Sequence, residues 1–155
     1  MSRHLAELNI GRLRHPLEDP RSADFRNALD RVNGLAERMP GFVWRLVGEG
    51  NDATDIAWAS DPKVIVNLSV WEDAETLERF VFDTVHRAFY ARRAEWFDAM
   101  ESHHFVMWWV PAGHRPSLAE AAERLARLDR EGPSAEAFGW ESLPRADELS
   151  AQRCG

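Results

Sequence analysis

The segment Val64 to Trp71, VIVNLSVW, carries no charge on either side of an extended chain. Successive residues of a strand point to opposite faces. Val64, Val66, Leu68 and Val70 therefore share one face, and Ile65, Asn67, Ser69 and Trp71 share the other. The segment HFVMWWV at 104–110 repeats the pattern, with Phe105, Met107 and Trp109 on one side and Val106, Trp108 and Val110 on the other. A sheet that meets water on one side alternates apolar with charged residues. These strands do not, so the sequence predicts a sheet covered on both faces.

The rest of the chain supplies the covering layers. Arg3 to about Arg12 alternates, with Leu5, Glu7 and Asn9 opposite Ala6, Leu8 and Ile10, and predicts a first strand. Phe25, Leu29, Val32, Leu35, Ala36 and Met39 recur at helical spacing behind a cap at Ser22 or Asp24, and Pro40-Gly41 ends that helix. Phe42 to about Val47 predicts a second strand, Gly48 to Asp52 a turn, and Ile56 to Ala59 a short irregular strand. Asp73 is placed to cap a second helix, which the periodicity carries to about Met100 with a bend near Asp83-Thr84. A third helix spans Ser117 to about Arg130, closed by Gly132-Pro133, and Ala137 to Leu143 predicts a short edge strand. The order β-α-β-β-α-β is the ferredoxin-like split βαβ arrangement, an α+β fold with an antiparallel sheet, here followed by a C-terminal helix. Helices cover one face. A second copy of the sheet is the economical cover for the other, so the expectation is a homodimeric α+β barrel. The predicted organisation is one domain over 1–143, with a helical extension from about 112, and a frayed tail over 144–155.

Composition removes several function classes. With 19 Lys+Arg against 26 Asp+Glu in 155 residues, the formal net charge is −7, and there is no basic run to hold phosphates, so nucleic acid is not an expected partner. No apolar stretch approaches the ~20 residues of a membrane helix. The first residues lack the apolar core of a signal peptide, and the lone cysteine, Cys154, has no partner for an internal disulfide, so a cytoplasmic location is expected. Eighteen of the 19 cations are Arg, a bias of genome composition. Seven Trp and eight Phe against one Tyr supply large aromatic surfaces for a core or a small-molecule pocket.

Two constellations are placed to carry chemistry. Asn67, Ser69 and Trp71 line one strand face at spacing two, where a buried amide and indole N–H need partners from protein, water or ligand. His86, Tyr90, Arg93 and Phe97 follow at i, i+4, i+7 and i+11 on the second helix, beside its apolar stripe. Trp108, on the 104–110 strand, adds an indole to the candidate binding residues. His103 and His104 are adjacent and point to opposite faces, and no histidine pair shows ligand spacing, so no metal site is expected. No serine-nucleophile or phosphate-loop signature is present.

The motif VNLSVWEDAETLERF at 66–80 resembles the third strand and helix start of the antibiotic-biosynthesis-monooxygenase superfamily of dimeric α+β barrels. WWVPAGHRP at 108–116 and the helix ending in Gly132-Pro133 resemble an uncharacterised bacterial family within it. The resemblance covers about residues 4–140. It implies that Asn67 and Trp71 match the Asn-x-x-x-Trp pair of cofactor-free enzymes that oxidise anthrone-type polyketides, with Asn9 in the place of their first-strand Asn. It implies a pocket between sheet and helices, dioxygen as oxidant and no cofactor. His86 or a bound water takes the proton in this reading, and His86 as the base is our own choice, not one that the resemblance supplies. Two departures stand out. The His that members often carry about nine residues after the Trp is Phe80 here, and the iron-ligating His of haem-degrading relatives aligns with Tyr90. Three readings follow: a cofactor-independent monooxygenase acting on an aromatic or polyketide-like molecule, a non-catalytic binder of a small hydrophobic ligand, and a haem-handling protein. The first predicts Asn9, Asn67, Trp71 and His86 around one cavity. The second predicts the cavity without a titratable group at its centre, and the third a flat slot faced by Tyr90 or a histidine.

Overall fold

The computed structural model describes residues 2–47, 63–83, 91–98 and 104–140. The elements are β1 (Arg3–Leu13), a 3-10 turn (Pro20–Ser22), α1 (Ala23–Arg38), β2 (Phe42–Arg45), β3 (Val64–Trp71), α2 (Ala74–Asp83), α3 (Arg93–Trp96), β4 (Phe97–Asp98), β5 (Phe105–Pro111) and α4 (Leu118–Glu131). β1 is the central strand. One edge pairs antiparallel with β3, which in turn pairs with β2. The other edge pairs with β5 over Arg3–Asn9 and with β4 at Arg12 and Leu13. The order β2-β3-β1-β5 is that of the ferredoxin-like α+β fold.

Local chemistry explains the boundaries. The Asp73 carboxylate accepts the Thr76 N–H at 2.8 Å, the cap expected for α2. Gly41 turns the chain from α1 into β2 at φ +92°, where a Cβ would collide with the Thr76 side chain. Ser117 Oγ accepts the Glu120 N–H at 3.0 Å and starts α4, and Gly132 at φ +77° ends it.

The second helix departs from expectation. Its pattern runs on to Met100, yet Phe97 and Asp98 are extended and pair with β1. β5 leaves β1 at Asn9, so the last residues of β1 offer unpaired backbone groups. Satisfying them outweighs continuing a helix. Gly11 permits the close approach, since a Cβ there would meet the Phe97 ring at 2.7 Å. The predicted edge strand over Ala137–Leu143 is reduced, among the described residues, to bridges at Phe138 with Met107 and Ala137 with Ser134. The turn at 48–52, the strand at 56–59 and the tail at 144–155 lie outside the described residues.

Both sheet faces are covered, as the strand pattern predicts. The inner face buries Leu5, Trp71 and Met107 against Val32 and Ala36 of α1 and Leu77, Phe80 and Val81 of α2. The outer face joins Ala6, Leu8 and Ile10 to the even-numbered residues of β3 and β5. Its cover is not what the sequence suggested. Ala121, Leu125 and Leu128 of α4, with Ala137, pack on it within the same chain. Val66, Leu68, Val70, Val106 and Trp108 are each no more than 3% exposed without any second copy. The reason for expecting a partner sheet on this face is thereby removed.

Trp108 belongs to this outer layer. Its Nε1 donates to Glu120 Oε2 at 2.9 Å, and His114 Nε2 lies 2.8 Å from Glu120 Oε1. Burial alone would push the Glu120 carboxyl up, but these hydrogen bonds outweigh it and hold the carboxyl below its ordinary range.

Candidate functional site

The inner face is not uniformly apolar. Cross-strand register aligns its side chains in rows. In one row Arg45 of β2 lies opposite Ser69 of β3, and Ser69 opposite Glu7 of β1. In the next, Asn67 lies opposite Asn9, and Asn9 opposite Phe105. Helices α1 and α2 stand off these rows and leave a cavity of about 390 Å³, a size suited to a small organic molecule. Glu7, Asn9, Arg45, Asn67, Ser69 and Trp71 all line it, and α1 adds the buried Asn33.

A directed hydrogen-bond chain crosses the floor of the cavity. Trp71 Nε1 donates to Ser69 Oγ at 3.0 Å, and Ser69 Oγ donates to Glu7 Oε1 at 2.6 Å. Glu7 is 5% exposed. Burial pushes its carboxyl up to about 8, against the opposing pull of the Ser69 hydrogen bond. At neutral pH Glu7 is then mostly protonated. A carboxyl poised so close to physiological pH can take up or release a proton in the working range.

The remaining lining is graded. Trp71 stacks on Phe80 with ring centroids 5.1 Å apart and receives the edge of Phe42 at 5.4 Å. Phe80, the departure from the superfamily pattern, is thus half of an aromatic wall. At the other end Phe105 stacks on Trp140 at 5.2 Å, beside the exposed Asn9. Arg14 borders the cavity with its Nε donating to the Ala94 carbonyl at 2.8 Å and Nη1 3.7 Å from Asp98 Oδ1.

The structure brings together Asn9, Asn67, Ser69, Trp71 and Arg93, all of which line the cavity. It does not bring Trp108, which β5 turns to the outer face, because residues of even number on that strand point away from α1 and α2. His86 and Tyr90 lie outside the described residues, so the proton acceptor and the haem reading attached to them have no geometry here. Glu7, Arg45 and Asn33 were missed as candidates. The available signal for Glu7 was a single carboxylate at the middle of a strand, on the face it shares with Asn9. Among the described residues there is no cluster of three or more His, Cys, Asp or Glu suited to a metal ion, and no helix long and apolar enough to cross a membrane.

Comparison with known proteins adds the following. No curated protein matches the sequence. Among solved structures, the chain is similar to a conserved protein from Methanosarcina mazei Go1, at 11% identity and TM-score 0.49, over 70% of this chain and 91% of that one. It is similar to SnoaB, a cofactor-independent oxygenase from Streptomyces nogalater, at 17% identity and TM-score 0.48, over 77% of this chain and 100% of that one. It is also similar to NE2512, a protein of unknown function from Nitrosomonas europaea, at 14% identity and TM-score 0.46, over 74% and 96% of the two chains. One family model matches nearly the whole sequence, residues 4–154, and the chain therefore belongs to the family described as a domain of unknown function, DUF3291.

Proposed function

We propose that this protein is a cofactor-independent monooxygenase that oxidises a small aromatic or polyketide-like molecule with dioxygen, in the manner of the bacterial antibiotic-biosynthesis monooxygenases that its 66–80 motif resembles. The observation that carries the reading is Glu7. It is a titratable group on the cavity floor, in the row next to Asn9 and Asn67 and linked through Ser69 to Trp71. A passive pocket for a hydrophobic ligand has no need of a buried carboxyl, whose desolvation opposes folding.

The chemistry balances as follows. A doubly benzylic CH₂ or its phenolic tautomer gives one proton to the ionised Glu7. The resulting carbanion passes an electron to dioxygen, and the radical pair joins through a new C–O bond. The second C–H proton passes to the distal peroxide oxygen as the O–O bond breaks, which forms the C=O and releases hydroxide. The departing hydroxide takes the proton held by Glu7. The sum is CH₂ plus O₂ to C=O plus H₂O, with all four electrons supplied by the substrate. The amide donor at Asn67 stabilises the developing oxyanion, with Asn9 at the open end of the same row, and the apolar wall of Trp71 and Phe80 limits the water that competes for it. We assign the protein to the cytoplasm.

The test is oxygen uptake with an anthrone as probe, on the wild type and Glu7→Gln. The expected result is one O₂ consumed per ketone formed and a loss of about 10²-fold or more in kcat for the variant. A second reading has one observation in its favour: the Trp71 N–H is already satisfied by Ser69, so it is not held out for a ligand. That reading, a non-catalytic binder, predicts ligand retention with no oxygen consumed.

A further inference from the structure

One polar side chain of the cavity comes from the helix layer and takes no part in the hydrogen-bond chain on the floor. Asn33 lies four residues after Leu29 and three before Ala36, within the apolar stripe of α1. It is 5% exposed and lines the cavity. Among the described residues no group hydrogen-bonds its side-chain amide. Asparagine is a weaker helix former than leucine or alanine, and a buried amide without a partner opposes folding. The fold therefore gains nothing from an amide at this position. Its place along α1 follows from its neighbours. Phe25 and Leu29, earlier in the helix, pack with Leu13 and Ile65. Ala36, later in it, packs with Leu5 and Trp71. Asn33 thus stands over the middle of β1, the stretch that carries Glu7 and Asn9. The floor presents a carboxyl there, and the roof presents two N–H donors and a carbonyl acceptor.

We infer that Asn33 is a ligand-binding residue and that the cavity takes an aromatic ketone, or its phenol tautomer, whose oxygen is held by the Asn33 amide on the helix side while its weakly acidic C–H faces Glu7 on the sheet side. This rests on the aromatic-substrate reading above and adds the group by which the molecule is held and its orientation. When the C–H proton passes to Glu7, conjugation carries the electron pair to the anchored oxygen, and an N–H donor fixed there favours the resulting enolate.

The experiment is an anaerobic titration, followed by tryptophan fluorescence, with anthrone and 9,10-dihydroanthracene as probes. The second has a CH₂ where the first has its carbonyl. Wild type is expected to bind anthrone about 10-fold tighter. Asn33→Leu replaces the amide with methyl groups of similar shape. It should keep its affinity for dihydroanthracene, lose the preference for anthrone, and unfold at the same or a higher urea concentration, because the amide it removes has no partner in the fold. Asn33→Ala, which also lacks a donor but needs less room, should lose the preference too, so the inference stays testable even where leucine is too tight. Equal binding of the two probes to wild type, binding of neither, or a preference that both variants keep overturns it. Because no turnover is needed, the two proposals fail separately. A preference that depends on Asn33, without oxygen uptake, sinks the oxygenase and leaves the anchor. Oxygen uptake on anthrone with a preference indifferent to Asn33 does the reverse.

Discussion

The two faces of the sheet are built from the same strands, alternate residues of each, yet they differ in kind. The outer face is Ala6, Leu8, Ile10, the four aliphatic residues of β3, Val106, Trp108 and Val110, closed by α4. The one polar atom of these side chains, the Trp108 indole nitrogen, is bonded to Glu120. The inner face interrupts its apolar residues with Glu7, Asn9, Asn67 and Ser69 and leaves a cavity over them. The outer face is buried at every strand residue named, whereas the inner face leaves Asn9 exposed and Asn67 and Phe105 half-buried. What distinguishes them is whether polar groups have been placed where the fold gains nothing from them.

The largest expected difference between the faces is in activity. Glu7→Gln is isosteric and keeps an acceptor for Ser69, so the fold should persist while oxidation falls by about 10²-fold or more, read as oxygen uptake. On the outer face, Leu128→Ala alters a residue that is not among those lining the cavity. It should cost about 2–5 kcal/mol of stability in denaturant unfolding, with kcat retained in the fraction that stays folded. Stability loss without activity loss on one face, and the converse on the other, would establish the division. Equal loss of both from each variant would break it.

A smaller effect follows from protonation. The Glu7 carboxyl sits near 8 in the folded chain and at about 4.5 unfolded. Below about pH 4.5 both states are protonated, and Glu7 is without cost. As pH rises toward 8 the unfolded chain ionises first, so stability falls across that window by a few kcal/mol in all and levels off above it. Wild type minus Glu7→Gln, measured by urea unfolding at pH 5 and pH 9, isolates this slope. Its absence would mean that Glu7 is not desolvated. The smallest effect is expected for Ser69→Ala. Its hydroxyl lowers the Glu7 carboxyl, so its loss should move the alkaline rise of kcat to higher pH and leave the plateau intact.

Legibility in the sequence divides along similar lines. β3 was read with the bounds it has, because alternation over eight residues without a charge has few alternative explanations. α4 was read to within one residue at each end, because a serine cap and a positive-φ glycine are local devices. The helix carried to Met100 was overread. Periodicity could not register that β1 would run beyond β5 and draw Phe97 and Asp98 into pairing. Asn67, Ser69 and Trp71 were legible as a spacing-two set. Glu7 was legible only as an inward-pointing residue, since its burial and its bond to Ser69 come from a residue 62 positions away.

By itself the sequence determined that the sheet must be covered on both sides, which residues share each face, and where the capped helices begin. These follow from local propensity and from the two-residue period of a strand, which act within a few positions. Only the tertiary structure decided what the cover is and what the inner polar residues mean. That α4 takes the outer face within one chain, that Trp108 is a structural residue, and that Glu7, Ser69 and Arg45 meet in one row all depend on contacts between distant segments. A carboxylate is an ordinary charged residue until packing removes its water, and that removal is a property of the assembled fold.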